Sequence, residues 1–241
     1  MRFNDLPIVD AEDRTETRRS IKVAARRLFA ERGVEAVTVR EIVAAAGAKN
    51  GGSLNYYFKS KEGLILELLT DLFRESSSAW LEGLTSLEKR GGAQSVRDVV
   101  EVIVLAPDTT KFSDSAPTSS RFLASVLFTR RKMITDFLEQ MNFSVFGRLL
   151  QYIEEMNPDV PGPIMRQRLI YFAWYVLSVR AAYETWIASR KRSEIWSGYD
   201  PLLNLVETAT GLLEAGYSDT ERAAPPVKKP RRTRRAPIPA K

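Results

Sequence analysis

The feature that most constrains this 241-residue chain is a pair of short helices that the sequence predicts near its N-terminus. Gly33 ends a preceding amphipathic helix, since glycine adopts a left-handed cap conformation at little cost. Thr38 and Glu41 form a capping box, which opens a short helix that ends at Gly47. After a glycine-containing turn, residues 53–58 are predicted to form a second short helix. Two short helices joined by a tight turn and backed by a longer helix indicate a helix-turn-helix unit.

Helical periodicity continues through the rest of the chain, and we find no strand alternation and no internal repeat. Ser60 is a predicted cap for a long helix that begins at Lys61. The fold class is therefore all-α. Further helices are predicted at about 95–105, 118–129, 132–156, 164–189 and 201–214.

The composition excludes several kinds of site. The chain has no cysteine and no histidine, which excludes disulfides, thiolate nucleophiles, imidazole catalysis and zinc sites built on these residues. The composition leaves a carboxylate-only metal or acid–base site open, but we expect no metal and no cofactor. No nucleotide-binding glycine motif follows a strand, and adjacent carboxylates such as Glu154 and Glu155 point apart on a helix, so an enzyme is disfavoured. The N-terminus lacks the apolar stretch of a secretory signal, which predicts a cytoplasmic location. The sequence has no run of about 18 uncharged apolar residues, so we expect no membrane span.

The net charge of +6 is unevenly distributed. Residues 217–241 hold eight basic and two acidic residues, and residues 14–62 hold eleven basic and five acidic ones. The remaining residues are therefore acidic on balance. Two basic segments around an acidic body favour a polyanion as the partner.

The residues of the predicted helix-turn-helix resemble the tetracycline-repressor (TetR) family. The resemblance rests on Ala25–Gly33, on Thr38–Ile42 followed by Ala46-Gly47, and on Ser53–Leu64, about fifty residues in all. It implies an all-α protein of nine or ten helices. It further implies a repressor that binds a palindromic DNA operator as a homodimer and is released by a small-molecule effector. Members that act as activators or without a ligand also occur.

The resemblance and the composition together divide the chain into four parts. These are a flexible N-terminus (1–13), a three-helix helix-turn-helix DNA-binding domain (14–62), a larger helical ligand-binding and dimerisation domain (63–216) and a disordered basic tail (217–241).

The DNA-binding residues are expected in and around the second short helix. Asn55 is the first candidate for base reading, because an asparagine can donate and accept with one adenine edge. It stands where the family usually has a tyrosine, and its alternative role is to bond the backbone. Thr38 caps its helix and can present a backbone N–H to a phosphate. A solvated surface position is the alternative for the charged candidates. The full candidate set is Thr38, Arg40, Lys49, Asn50, Gly51, Gly52, Ser53, Asn55, Tyr56 and Lys61.

The larger domain is rich in aromatic residues, which suits a pocket for a small apolar or acyl-type effector. Arg121 could anchor an acidic ligand, and a salt bridge is its alternative role. The face of helix 164–189 that carries the rings could instead pack on a partner helix. The predicted ligand-binding residues are Arg121, Phe122, Tyr171, Trp174, Tyr175 and Ser178.

The resemblance implies a dimer interface on the last two long helices, 164–189 and 201–214. The helix 201–214 carries a broad apolar stripe suited to a partner helix. The stripe consists of Leu202, Leu205, Val206, Ala209, Leu212 and Leu213.

Two alternatives remain open from the sequence. The basic run 228–235 could bind phosphates without sequence preference or only solubilise the chain. A ligand-independent constitutive or architectural DNA-binding protein is the alternative to an effector-controlled repressor.

Overall fold

The computed structural model describes residues 11–48, 52–105, 117–140 and 144–218. The described residues form eleven α-helices and no strand, so the all-α prediction is confirmed. The helices are α1 (Ala11–Arg32), α2 (Val39–Ala45), α3 (Ser53–Phe58), α4 (Lys61–Lys89), α5 (Val96–Leu105), α6 (Ser119–Thr129), α7 (Arg131–Gln140), α8 (Ser144–Glu155), α9 (Gly162–Ser189), α10 (Glu194–Ser197) and α11 (Pro201–Glu214).

The predicted signals set the boundaries of the first four helices. Gly33 has a positive φ of 82° directly after α1. Thr38 and Glu41 make both hydrogen bonds of the capping box at the start of α2. The Ser60 hydroxyl accepts from the Gly63 backbone N–H at 3.0 Å and caps α4. These interactions act within three or four residues, which is why the sequence pattern predicts them well.

The first hydrophobic core joins the helix-turn-helix to helices from the larger part of the chain. Phe29 of α1 stacks on Phe122 of α6, with ring centroids 6.1 Å apart. Phe73 of α4 packs similarly against Phe137 of α7, at 5.5 Å. The expected domain boundary at residue 62 falls inside α4, which is continuous from Lys61 to Lys89. The helix-turn-helix and α6–α7 therefore share one core.

A second hydrophobic core lies between α5, α9 and α11 and includes residues of α4 and α8. Two arginines of α9 fix this packing by hydrogen-bonding the ends of neighbouring helices. Arg168 donates to the carbonyl oxygens of Leu213, in the last turn of α11, and of Gly216, two residues after that helix. Arg180 donates to the carbonyl oxygen of Val104, in the last turn of α5. Carbonyls in a last helical turn lack intrahelical partners, so these side chains satisfy them.

The stripe of α11 that the sequence assigned to a dimer interface lies mostly in this second core. Leu205, Val206, Ala209 and Leu213 are buried against α5 and α9 of the same chain. Leu202 and Leu212 are half-buried. A partner helix could therefore contact only the edges of the stripe, because the chain itself covers its centre.

Two other features differ from the sequence expectation. The predicted single helix 132–156 is divided into α7 and α8, and residues 141–143 between them lie outside the described residues. The short α10 was not predicted; its Trp196 packs against Trp186 and Tyr183 of α9. Within the described ranges, no helix combines the length and the apolar character needed to cross a bilayer.

Candidate DNA-binding surface

The second short helix, α3, presents two exposed side chains next to each other. Asn55 is exposed and Tyr56 is 69% exposed, while Leu54 and Phe58 on the opposite face are buried in the first core. The Asn55 side chain makes no hydrogen bond to any residue that the structure describes. Its amide is therefore directed outward, with both a donor and an acceptor available.

A network of α1 and α4 side chains lies next to the buried face of α3. The Arg18 guanidinium lies over the Phe58 ring, 5.4 Å from its centroid, and also pairs with Glu67 of α4. Lys22 is buried and pairs with both Glu67 and Asp71. Charges that are withdrawn from water and paired in this way resist displacement, because removing one partner leaves an uncompensated buried charge. These pairs join α1 to α4, and Arg18 brings the same network into contact with Phe58 of α3.

The turn between α3 and α4 is tight and depends on one glycine. Lys59 adopts a positive φ of 66°, which is uncommon for a residue with a side chain. A Cβ on Gly63 would lie 2.1 Å from the Phe58 carbonyl oxygen. Only glycine allows the first turn of α4 to approach the end of α3 this closely.

Thr38 and Arg40, at the start of α2, are also exposed. Thr38 is exposed, and its backbone N–H donates to Glu41 Oε2 at 2.7 Å. Arg40 is exposed and forms no ion pair within the described parts of the chain. A free guanidinium one residue into a helix suits a phosphate contact.

The remaining candidates divide into three groups. Gly52 is exposed and Ser53 half-buried at the start of α3. Lys61 is half-buried, and its ammonium lies 5.8 Å from the centroid of the Phe29 ring, so it is less available than predicted. Lys49, Asn50 and Gly51 lie outside the described residues. Lys59 was not among the predicted residues, but it is exposed at the end of α3. Its position directly before the Ser60 cap is the sequence feature that could have indicated it.

The capping box lowers the pKa of the Glu41 carboxyl from 4.5 to about 2. The largest cause is the hydrogen bond from the Thr38 backbone N–H, followed by the Thr38 hydroxyl and the Arg32 guanidinium. Arg32 Nη1 lies 2.7 Å from Glu41 Oε1. The ionised carboxylate therefore ties the end of α1 to the start of α2.

We expect this arrangement to make the helix-turn-helix sensitive to acid. A carboxyl whose pKa is lower in the folded state stabilises that state fully above its unfolded pKa, near 4.5, and loses this contribution as the pH falls toward 2. Glu41→Gln keeps an acceptor for Thr38 but cannot titrate. Melting temperatures of both proteins across this pH range should converge as the pH falls; curves that stay parallel would contradict the assignment.

The structure places the predicted ligand-binding residues in different surroundings. Phe122 is fully buried in the first core, and Arg121 pairs with the buried Glu184 of α9, with 3.9 Å between Nε and Oε2. On α9, Trp174 and Ser178 are exposed, and Tyr175 donates to or accepts from the Thr208 hydroxyl at 2.7 Å. Tyr171 is exposed as well. The aromatic face of α9 is thus part of the surface of this chain.

Comparison with known proteins agrees with the geometry of the N-terminal helices. Residues 21–68 match the family model described as bacterial regulatory proteins, tetR family. This segment extends from α1 through α3 into α4 and contains the DNA-binding candidates from Thr38 to Lys61.

Two curated relatives share the N-terminal part of the chain. The chain is 39% identical over 89 residues to the HTH-type transcriptional repressor KstR2 of Rhodococcus jostii (strain RHA1). These residues cover 34% of this chain and 43% of the relative. The chain is 30% identical over 123 residues to the HTH-type transcriptional repressor KstR2 of Mycolicibacterium smegmatis. These residues cover 47% of this chain and 58% of the relative. The match thus spans about half the length of these relatives.

A solved structure matches over more of the chain. A TetR family transcription regulator from Marinobacter aquaeolei VT8 has a TM-score of 0.51 at 15% identity and covers 85% of this chain and 96% of that one. This likeness extends the agreement in fold beyond the N-terminal domain. Residues 21–68 therefore resemble the helix-turn-helix region of the tetR family, and the described part of the chain has an all-α fold like that of this regulator.

Proposed function

We propose that this protein is a transcription repressor that binds a palindromic DNA operator as a homodimer. The observation that carries the proposal is the outward-facing Asn55 and Tyr56 of α3, which α1 and α4 hold in place. The matched relatives carry the name of transcriptional repressors, which supports repression as the outcome of binding. A single helix-turn-helix reads few bases, whereas two related by a two-fold axis read both halves of a palindrome.

Selection from a random duplex library tests the proposal. The wild-type chain should enrich a short palindrome whose half-sites are separated by about one helical turn or a multiple of it. Salt-sensitive binding without an enriched sequence would instead support the alternative of an architectural DNA-binding protein.

Asn55→Ala should weaken binding to the selected operator and relax the preference at one base pair of each half-site. A side chain that pairs bidentately with a base contributes about 1–3 kcal/mol of discrimination. Arg40→Ala is the matched control: loss of a phosphate contact should weaken binding to all sequences and reduce the salt slope by about one. An Asn55→Ala protein that selects the wild-type sequence with wild-type affinity would remove Asn55 from base reading.

The second copy of the chain is proposed to bind the exposed face of α9. Ile170 is 56% exposed, and Tyr171 and Trp174 lie beside it. Trp174 also packs against the exposed Phe128 of α6, with ring centroids 5.2 Å apart. A group of large apolar side chains on the surface of a soluble chain marks an interaction site, and a two-fold dimer places the same patch on both sides of the interface.

The neighbouring helix supplies a matching surface. Thr208 and Gly211 of α11 are exposed, as is Ala215 directly after it, and all three have short side chains or none. The hydrogen bond between Tyr175 and Thr208 keeps this helix directly beside α9. Large residues on one helix and small residues on the next allow two copies to interdigitate. The proposed interface therefore uses exposed residues in and after α11 in place of the buried residues at the centre of the apolar stripe.

Release by a small effector is the third part of the proposal, and the family resemblance supports it. The effector must bind the DNA-free conformation more tightly than the DNA-bound one, since equal binding to both shifts no equilibrium. A mobility-shift titration of the selected operator against a panel of apolar carboxylic acids tests this part. Unchanged affinity at a concentration that raises the melting temperature would show that the bound ligand has no control over DNA binding.

A further inference from the structure

A buried carboxylate of α9 holds the beginning of α6. Glu184 is 3% exposed. It accepts hydrogen bonds from the Ser120 N–H at 2.9 Å and from the Arg121 N–H at 3.0 Å. Thr118, the residue at the N-cap position of α6, makes no side-chain capping hydrogen bond. A side chain more than sixty positions later in the sequence therefore performs the capping.

This capping fixes α6 to α9. The first backbone N–H groups of a helix have no partners within the helix, and the helix dipole favours a negative charge there. Arg121 adds a guanidinium 3.9 Å from the same carboxylate. A displacement of α6 along α9 would leave a buried charge without these partners, which is strongly unfavourable.

The opposite side of α6 holds the helix-turn-helix at its beginning and middle. At the beginning, the buried Arg26 of α1 donates to the Ser119 hydroxyl. In the middle, the Ser125 hydroxyl accepts from the Val34 N–H at 2.8 Å, directly after Gly33. These contacts reach α1 and the turn that follows it.

A further contact lies just beyond the end of α6. Arg130 donates to Glu35 at 3.1 Å and to Glu62 at 3.5 Å. It therefore links α6 both to the α1–α2 turn and to the first turn of α4. The DNA-binding unit is attached to α6 along the whole length of that helix.

We propose that Glu184 is a positioning residue for DNA binding, which sets the orientation of the helix-turn-helix through α6. The inference rests on the proposed function, because it concerns how the proposed DNA-binding surface is oriented. The route runs from Glu184 to the first turn of α6, and from there through Ser119 to Arg26. Any event that moves the end of α9 would reach the DNA-binding surface by this route.

Glu184→Gln is the test variant, because it keeps the size of the side chain and one acceptor oxygen but removes the charge and the second acceptor. We expect operator affinity to fall by roughly 2- to 30-fold, the range typical of residues that couple distant parts of a protein. Hydrogen exchange should become faster by a similar factor in residues 119–125 and also in residues 26–38. Glu207→Gln is the matched control, since Glu207 is exposed on α11 and its contacts with Arg97 and Tyr199 lie away from α6.

Hydrogen exchange separates positioning from a merely structural role. Faster exchange confined to α6, with unchanged operator affinity, would overturn the proposal, as would a uniform increase over all helices. If Glu184→Gln does not fold, Ser119→Ala tests the same route, because it removes the acceptor of Arg26 and leaves the carboxylate in place. It should accelerate exchange in residues 26–38, and wild-type exchange there would overturn the proposal. If the wild-type chain enriches no DNA sequence, the proposed function fails, while the exchange pattern still decides whether Glu184 and the helix-turn-helix are coupled.

Discussion

Gly63→Ala is expected to abolish operator binding while most of the chain remains helical. The added Cβ would lie 2.1 Å from the Phe58 carbonyl oxygen, and 3.3 Å from its carbon. Since backbone atoms cannot rotate away, the end of α3 must move relative to α4. Overpacking of this kind costs about 1–3 kcal/mol. The displaced helix is the one that carries Asn55 and Tyr56, so binding should suffer more than stability.

Thermal melting and a mobility-shift titration measure the two effects separately. The melting temperature should fall by roughly 2–4 °C for each kcal/mol lost in a chain of this size. Gly147→Ala is the matched control, because a Cβ on Gly147 in α8 would have no atom of the described residues within 4 Å apart from its chain neighbours and the backbone of its own helix. Alanine is favoured over glycine inside a helix by about 0.5–1 kcal/mol, so this variant should be slightly stabilised and bind normally. Normal binding by Gly63→Ala would show that α3 does not depend on this close approach.

Ile170→Glu is expected to convert the proposed dimer into a monomer that binds the operator poorly. Ile170 is 56% exposed within one chain, so a glutamate there should leave the monomer folded. In the dimer it would place two carboxylates in an apolar interface, where an unpaired charge is costly. Loss of the second helix-turn-helix should reduce operator affinity by roughly 10²- to 10⁴-fold, because the two units no longer bind as one.

Sedimentation velocity measures the change in mass, and a mobility-shift titration measures the change in affinity. Leu81→Glu is the control, since Leu81 is 50% exposed on α4, away from the α9 face. It should leave both quantities unchanged. A dimeric Ile170→Glu protein with full affinity would place the interface on another surface.

The sequence alone determined the helices of the DNA-binding unit. Thr38, Glu41, Ser60 and the glycines specify where α1 to α4 begin and end, because capping interactions involve residues only three or four positions apart. It also placed Asn55 and Tyr56 together on one short helix. The family resemblance rested on the same residues, which the family model matches.

The break between α7 and α8 was not visible in the sequence. The apolar periodicity runs through residues 132–156, and no proline or glycine separates the two helices at the point where α7 ends. A hydrophobic pattern indicates that a segment is helical but not that the chain changes direction within it.

Only the tertiary structure decided what covers each apolar or charged surface. The apolar stripe of α11 predicted a helix with a covered face, and the structure shows that α5 and α9 of the same chain cover most of it. The aromatic face of α9 had two interpretations in the sequence, and in the structure its Tyr171 and Trp174 are exposed. The sequence pattern did not indicate a role for Glu184, because the residues of α6 that it contacts lie more than sixty positions away in the chain. Periodicity and caps report local conformation, whereas the partner of a buried side chain depends on distances that exist only after the helices have packed.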